Sequence, residues 1–261
     1  MAETGARRET ITIAGAEIEY WERGAGEPLL YLHGGGGIGP DGGFLDLMAA
    51  KRRVISPSHP GFGKSSLPDW IDSVDDIAHI HLELLDKLGV SKFDMIGCSV
   101  GGWIANEIAT KIPERVRKLA LVGPVGVKTG PPDKLDIPDM FTMSPADLPK
   151  IMFHDPAKFR PDFSKLSDEA IQIMARNRET LTLLTWEPYM HNPKLPHRLQ
   201  RLNMPVLFTR GASDGLVGAD YIERYAKLVP GARVVTIPEA GHAPQAEQPA
   251  ALARAMIDFF G

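Results

Sequence analysis

The chain has a single cysteine, Cys98, so no internal disulfide can form and packing alone must hold the fold. Long apolar runs are missing as well. Nowhere do 18 apolar residues stand in a row, which argues against a membrane-spanning helix. Positive charge is not in excess: 29 Lys and Arg face 33 Asp and Glu, a formal net charge of −4, so nothing points to a nucleic-acid partner. The first residues, Met1 to Thr10, are polar and lack the apolar centre of a secretory signal peptide. From these absences a cytoplasmic protein is expected, with no membrane and no nucleic acid among its partners. Neither an internal repeat nor a low-complexity tract is visible. What remains is 261 residues of ordinary globular composition, 43% hydrophobic and 24% charged, enough for one large α/β domain with an insertion or for two small ones.

Alternation in Thr10–Ile13 and Glu17–Trp21, split by Gly15, predicts an antiparallel hairpin. Pro28–Leu32 is a continuous apolar run, as in a strand covered on both faces, and Arg53–Ile55 is a shorter one. Asp75 to Leu88 repeats apolar residues with a helical period and stops at Gly89. Further strands are predicted at Phe93–Ile96, Lys118–Val122, Pro205–Phe208 and Arg233–Ile237, and a closing helix at Ala250–Phe260. Strands alternating with helices imply a parallel sheet wound by right-handed crossovers. Residues 125–196 break the rhythm: they are Pro-rich, lack a clear strand and hold Met140, Met143, Met152, Met174 and Met190, five of the ten methionines. They are expected to form a helical cap (125–196) on a core domain made of 1–124 and 197–261.

Within the core, Gly97-Cys98-Ser99-Val100-Gly101 is a G-x-S-x-G pentapeptide between a predicted strand and a predicted helix. A sharp turn there lifts the Ser99 hydroxyl clear of the sheet, and glycines on either side permit close backbone approach. A serine hydroxyl needs a base, and the base needs a partner that fixes its tautomer. In an open α/β sheet such groups belong just after the carboxyl ends of strands. Asp214 follows the strand at 205–209 and His242 the strand at 233–237, so Ser99, Asp214 and His242 are the candidate catalytic residues. Glu239 and Asp220 are weaker candidates for the acid. Acyl transfer also requires N–H donors aimed at the developing oxyanion. Val100, opening the helix, and Gly35, in His33-Gly34-Gly35-Gly36-Gly37, are the predicted donors, with Gly36 second. Gly36, Met140, Phe141 and Trp186 are the tentative substrate-lining residues. No metal site is predicted. His33 is expected to be structural and Cys98 an inert packing residue.

Four stretches together resemble the α/β-hydrolase superfamily over essentially the whole chain: His33–Gly36, His59–Ser66, the Ser99 turn with Gly101-Gly102, and the Asp214 and His242 loops. The resemblance implies a mostly parallel eight-stranded sheet with helices on both faces, a helical cap between strands six and seven, and no cofactor. It also implies the order Ser, Asp, His along the chain. A small-molecule ester or related acyl compound is the expected substrate, handled carboxylesterase-fashion by a monomer or homodimer. The glycine-rich loop is similar to that of the meta-cleavage product hydrolases, which split carbon–carbon bonds in dienoic acids. Those enzymes commonly carry Asn before the nucleophile and Trp after the histidine, where this chain has Cys98 and Ala243. Carbon–carbon hydrolysis, with Arg176 or Arg178 binding the carboxylate, is therefore the alternative activity. A slow ligand receptor of the same fold is a remote one, and peroxide could replace water as acyl acceptor.

Overall fold

The strands that form unbroken apolar runs lie in the middle of one sheet, where both faces are covered. In the computed structural model, which describes residues 6–39, 41, 43–159 and 162–261, β1 (Arg7–Ile13) and β2 (Ala16–Arg23) pair as an antiparallel hairpin. Residues 1–5 of the polar stretch Met1–Thr10 lie outside the described residues. The hairpin turn is Ala14-Gly15, both at positive φ, as a two-residue turn between twisted strands demands. Then come β3 (Pro28–Leu32), β4 (Arg53–Pro57), β5 (Phe93–Cys98), β6 (Val116–Val122), β7 (Val206–Gly211) and β8 (Arg233–Ile237). Their order across the eight-stranded sheet is β1-β2-β4-β3-β5-β6-β7-β8. The pairing of β2 with β4 is antiparallel, and every pairing from β4 across to β8 is parallel.

The helices are α1 (Phe44–Ala49), α2 (Val74–Lys87), α3 (Val100–Lys111), α4 (Leu148–Met152), α5 (Pro156–Phe159), α6 (Asp168–Thr185), α7 (Ala219–Ala226), α8 (Pro244–Glu247) and α9 (Pro249–Phe260). Pleating sends alternate strand residues to opposite faces. Phe93 and Met95 of β5 join Leu30 and Leu32 of β3 in a core closed by α2, α3 and α7. Ile96 and Cys98 join Leu29 and Tyr31 in a second core, closed by Phe44, Leu45 and Met48 of α1 and by Leu252, Met256, Phe259 and Phe260 of α9. Helix α2 begins one residue before the predicted start because Ser73 caps it. The Ser73 hydroxyl accepts the Asp76 N–H and the Asp76 carboxylate accepts the Ser73 N–H, two otherwise orphaned donors satisfied at once.

Between β6 and β7 the chain leaves the sheet. This insertion carries α4, α5 and α6 and, among its described residues, no strand. An isolated bridge ties its entry to its exit: Gly126 N–H donates to Met190 O and Asn192 N–H to Gly126 O, each at 3.0 Å. Helix α6 buries Asn177, Thr180, Leu181, Leu184 and Thr185, one face at helical spacing. Among the described residues no helix is long and apolar enough to cross a membrane.

Candidate active site

Ser99 sits at φ 53, ψ −117, a backbone conformation that an L residue with a side chain rarely adopts. Such strain costs about 1–3 kcal/mol and persists only where surroundings over-determine it. Here Ser99 N–H donates to Val122 O at 2.9 Å, and Ser99 O accepts from Gly102 and Val125 N–H at 2.9 and 3.2 Å. The flanking glycines are steric necessities. A Cβ on Gly97 would lie 2.4 Å from Gly101 O, and one on Gly101 would lie 2.3 Å from Leu32 O. Only glycine lets α3 start this close to the ends of β3 and β5.

The loop after β7 carries Asp214 and the loop after β8 carries His242, and the two side chains meet. His242 Nδ1 lies 2.9 Å from Asp214 Oδ2, with both side chains almost fully buried. The other carboxylate oxygen, Oδ1, accepts the Leu216 and Val217 N–H groups at 3.0 and 2.8 Å, which fixes its direction. Burial by itself would push the imidazole pKa down. The Asp214 charge and hydrogen bond, helped by the Glu247 charge, more than offset it, and the net direction is up. With Nδ1–H committed to Asp214, Nε2 is the basic nitrogen. It is buried and has no hydrogen-bond partner among the described residues. Ser99 approaches this pair through β6: Val122 holds the Ser99 N–H, and a Cβ on the next residue, Gly123, would lie 3.2 Å from His242 Nδ1 and 3.3 Å from Asp214 Oδ2. Of the other acids, Glu239 and Asp220 are exposed, Asp220 in the first turn of α7.

The glycine loop after β3 lies against Ser99. A Cβ on Gly34 would be 3.3 Å from the Ser99 Cβ. Gly37 N–H closes a turn onto Gly34 O at 3.0 Å. Val100 is the first residue of α3, so its N–H has no acceptor within the helix. Behind the loop sit three buried histidines in a chain. His33 Nδ1–H donates to Gly34 O at 2.7 Å, and its Nε2 accepts the His59 N–H at 3.0 Å. His59 Nε2–H donates to His33 O at 2.9 Å, which leaves Nδ1 to accept from His81 Nε2–H at 2.8 Å. These bonds assign a neutral tautomer to each ring. Burial lowers all three pKa values, His33 to about 4 and His81 to about 3, with His59 also well below its ordinary range. His33 is therefore a structural support of the loop. Cys98 is buried against Tyr31, and burial pushes its thiol up to about 12, so no thiolate forms at neutral pH.

The insertion grips this site at two places. On one side α6 holds the glycine loop: Asn177 donates to Gly36 O at 2.9 Å and accepts the Gly63 N–H at 2.9 Å, and Thr180 donates to Gly61 O at 2.9 Å. Leu181 packs on Gly35, where a Cβ would come within 2.5 Å of its Cδ2. On the other side Ile151 O accepts the Gly215 N–H at 2.9 Å and Met152 O accepts the His242 N–H at 2.5 Å. Met140, Phe141 and Trp186 gather elsewhere on the insertion. The Phe141 ring packs 5.9 Å from both Trp186 and Tyr189, Met140 N–H donates to Tyr189 Oη, and Trp186 is half exposed. Arg176 and Arg178 both bond backbone: Arg176 donates to Gly63 O and Ser65 O, and Arg178 to Met140 O and Phe141 O. Among the described residues no group of three or more His, Cys, Asp or Glu side chains could hold a metal ion.

A serine at a strand-to-helix turn, with an aspartate and a histidine at the carboxyl ends of the last two strands of this sheet, defines a hydrolase-type α/β enzyme. Residues 29–255 match the model of the alpha/beta hydrolase family, and the chain belongs to that family. It is 27% identical to the 2-hydroxymuconate semialdehyde hydrolase of Pseudomonas putida over 95% of this chain and 92% of that protein. Among solved structures it is similar to a membrane phospholipase A described as a bacterial virulence factor, with a TM-score of 0.79 and 25% identity over 98% of this chain and 86% of that one. It also shares its fold with a thermophilic esterase from Thermogutta terrifontis, with a TM-score of 0.75 and 22% identity over 98% of each chain.

Proposed function

We propose that the protein is a serine hydrolase that cleaves carboxylic esters of small to medium size through an acyl-enzyme on Ser99. The observation that carries this is the buried His242, oriented by Asp214 through Nδ1 and left with an unpartnered, basic Nε2. In the proposed cycle Ser99 Oγ attacks the acyl carbon while His242 Nε2 takes its proton. Val100 and Gly35 N–H groups stabilise the tetrahedral oxyanion. His242 then gives the proton to the leaving alcohol, next removes one from water as the water attacks the acyl-enzyme, and returns it to Ser99 Oγ as the bond to the acyl carbon breaks and the acid leaves. Asp214 stabilises the imidazolium at each stage without taking up the proton. The insertion, residues 125–196, serves as a cap on the core of 1–124 and 197–261. Its Leu181, packed on Gly35, supplies apolar surface for the acyl chain beside Gly36, while Met140, Phe141 and Trp186 lie apart from this contact.

A second reaction on the same three residues, carbon–carbon hydrolysis of a vinylogous diketone acid, draws support from the name of the Pseudomonas relative. Steady-state hydrolysis of p-nitrophenyl esters from acetate to decanoate, wild type beside Ser99→Ala, tests the proposal. Multiple turnovers on the shorter esters, abolished in Ser99→Ala, are expected. No turnover on any ester, with cleavage of a dienoate substrate instead, would replace it by the carbon–carbon reaction. A single burst followed by silence would make the protein a receptor-like binder.

A further inference from the structure

Glu247 closes helix α8, five residues after His242, and is buried although its carboxylate makes no salt bridge among the described residues. Its two oxygens are directed to two different parts of the chain. Oε1 accepts the N–H of Gly241, the residue before the base, at 2.7 Å. Oε2 accepts the N–H of His154, in the insertion, also at 2.7 Å. Around this bridge the insertion segment Ile151–His154 bonds the catalytic loops at three further points. Met152 O takes the His242 N–H, Ile151 O takes the Gly215 N–H, and His154 Nδ1 lies 2.8 Å from Ser213 Oγ. The approach is as close as backbone permits: a Cβ on Gly241 would lie 2.2 Å from Met152 O.

We propose that Glu247 is a positioning residue that locks the insertion segment Ile151–His154 onto the loops carrying Asp214 and His242. The base is then held by the insertion as well as by its own strand, and the insertion and the base move as one body. A carboxylate suits this task because both oxygens accept, so two N–H donors from separate segments are satisfied by one side chain. An amide of the same shape presents a donor to one of them. Its charge also stands behind His242 and favours the imidazolium that forms during proton transfer. The catalytic part of this role rests on the proposed function; the mechanical part does not.

The experiment compares wild type with Glu247→Gln, using the full chain. Amide hydrogen exchange is expected to speed up together in the segments around 151–154, 213–215 and 240–242, while β5 and α3 stay protected. The downfield proton resonance of His242 Nδ1–H, identified by its loss in His242→Gln, is expected to shift or broaden. On p-nitrophenyl acetate kcat should fall about a hundredfold with KM little changed, as expected when a base is displaced by a fraction of an ångström to an ångström. Faster exchange confined to 241–248, with the resonance unmoved, would overturn the lock and leave Glu247 as a local cap of its own loop. If Glu247→Gln does not fold, His154→Pro removes the N–H donor to Glu247 together with the imidazole contact to Ser213, and His154→Ala removes the imidazole alone; exchange at 240–242 must be faster in the proline variant than in the alanine one or the proposal fails. A wild type inactive on every ester would sink the proposed function, while exchange and resonance would still decide the lock.

Discussion

The buried histidine chain is expected to make stability fall steeply in mild acid, above the pH at which carboxylates begin to protonate. His33, His59 and His81 are neutral when folded, with pKa values held below the ordinary 6.5 by burial. Unfolding exposes them, and below pH 6.5 each takes up a proton. The unfolded state then binds more protons than the folded one, so stability falls as pH drops from 6.5 towards the folded values and levels off beneath them. At pH 5, about 1.5 below the unfolded pKa, each histidine that stays neutral in the fold costs about 2 kcal/mol, and three cost about 6 kcal/mol. That is a large part of the total stability of an ordinary domain, about 5–15 kcal/mol. His242 and Asp94, whose folded pKa values are raised, take up protons in the folded state and reduce the loss. Glu22, Asp75 and Asp136 have lowered folded values and weaken the fold only near or below their unfolded values of 4.5 and 3.8, outside this window. Urea unfolding at half-unit steps from pH 7.5 to 5 measures the effect. His81→Gln keeps a donor for His59 Nδ1 but cannot titrate, so it should cut the slope below pH 6 by about a third, from about 4 kcal/mol per pH unit. A stability that is flat between pH 7 and 5, or a slope unchanged by His81→Gln, would refute the neutral-chain assignment.

Two more predictions concern the site itself. Because Asp214 raises the pKa of His242 and protonated His242 cannot act as base, kcat/KM for a p-nitrophenyl ester should fall as pH drops, with a midpoint above 6.5. Asp214→Asn should move that midpoint down and lower kcat by about 10⁴-fold; an unmoved midpoint would assign the limb to another group. Gly35→Ala should place a methyl group 2.5 Å from Leu181 Cδ2 and cost about 1–2 kcal/mol by overpacking. The double variant with Leu181→Ala should recover most of that in urea unfolding, whereas strict additivity would mean that the two residues do not touch.

The core of the molecule was legible because its signals are local and repeated. Apolar runs in β3, β5 and β6 mark strands covered on both faces, and each candidate catalytic residue lies in the turn or loop that follows a strand. Ser99 could be placed because the two glycines around it have no other packing solution. Helices α1 and α7 carry no clear apolar period because each is so short: α7 shows only Tyr221, Ile222, Tyr225 and Ala226 turned inward. The insertion was legible as helical but not in its contacts. Segments such as α4 and α5 are only five and four residues long, and their backbone bonds to loops distant in sequence have no signature. Hence Met152 is, in the sequence, one of five methionines of the insertion, although its carbonyl accepts the His242 N–H. Asn177 offered one clue, a polar residue on the buried face of α6, where a polar side chain must find partners. Glu247 offered none, since an acid near a helix start is ordinary.

The insertion's two grips constrain how substrate can be admitted. A lid that swings away as a rigid body would have to break the Asn177 and Thr180 bonds to the loops at Gly36, Gly61 and Gly63, and the Arg176 bonds to Gly63 and Ser65. On the other side it would break the Met152–His242, Ile151–Gly215 and Glu247–His154 bonds. The first set supports the predicted oxyanion donor and the second the predicted base, so such an opening would dismantle the chemistry each time. Substrate is therefore expected to enter with both anchors held in place. The same bonds bear on substrate choice. Arg176 is engaged with the rim loop, and Arg178 with Met140 O and Phe141 O on an exposed face. A dienoate carboxylate would meet a guanidinium that already spends two of its five N–H donors on backbone carbonyls.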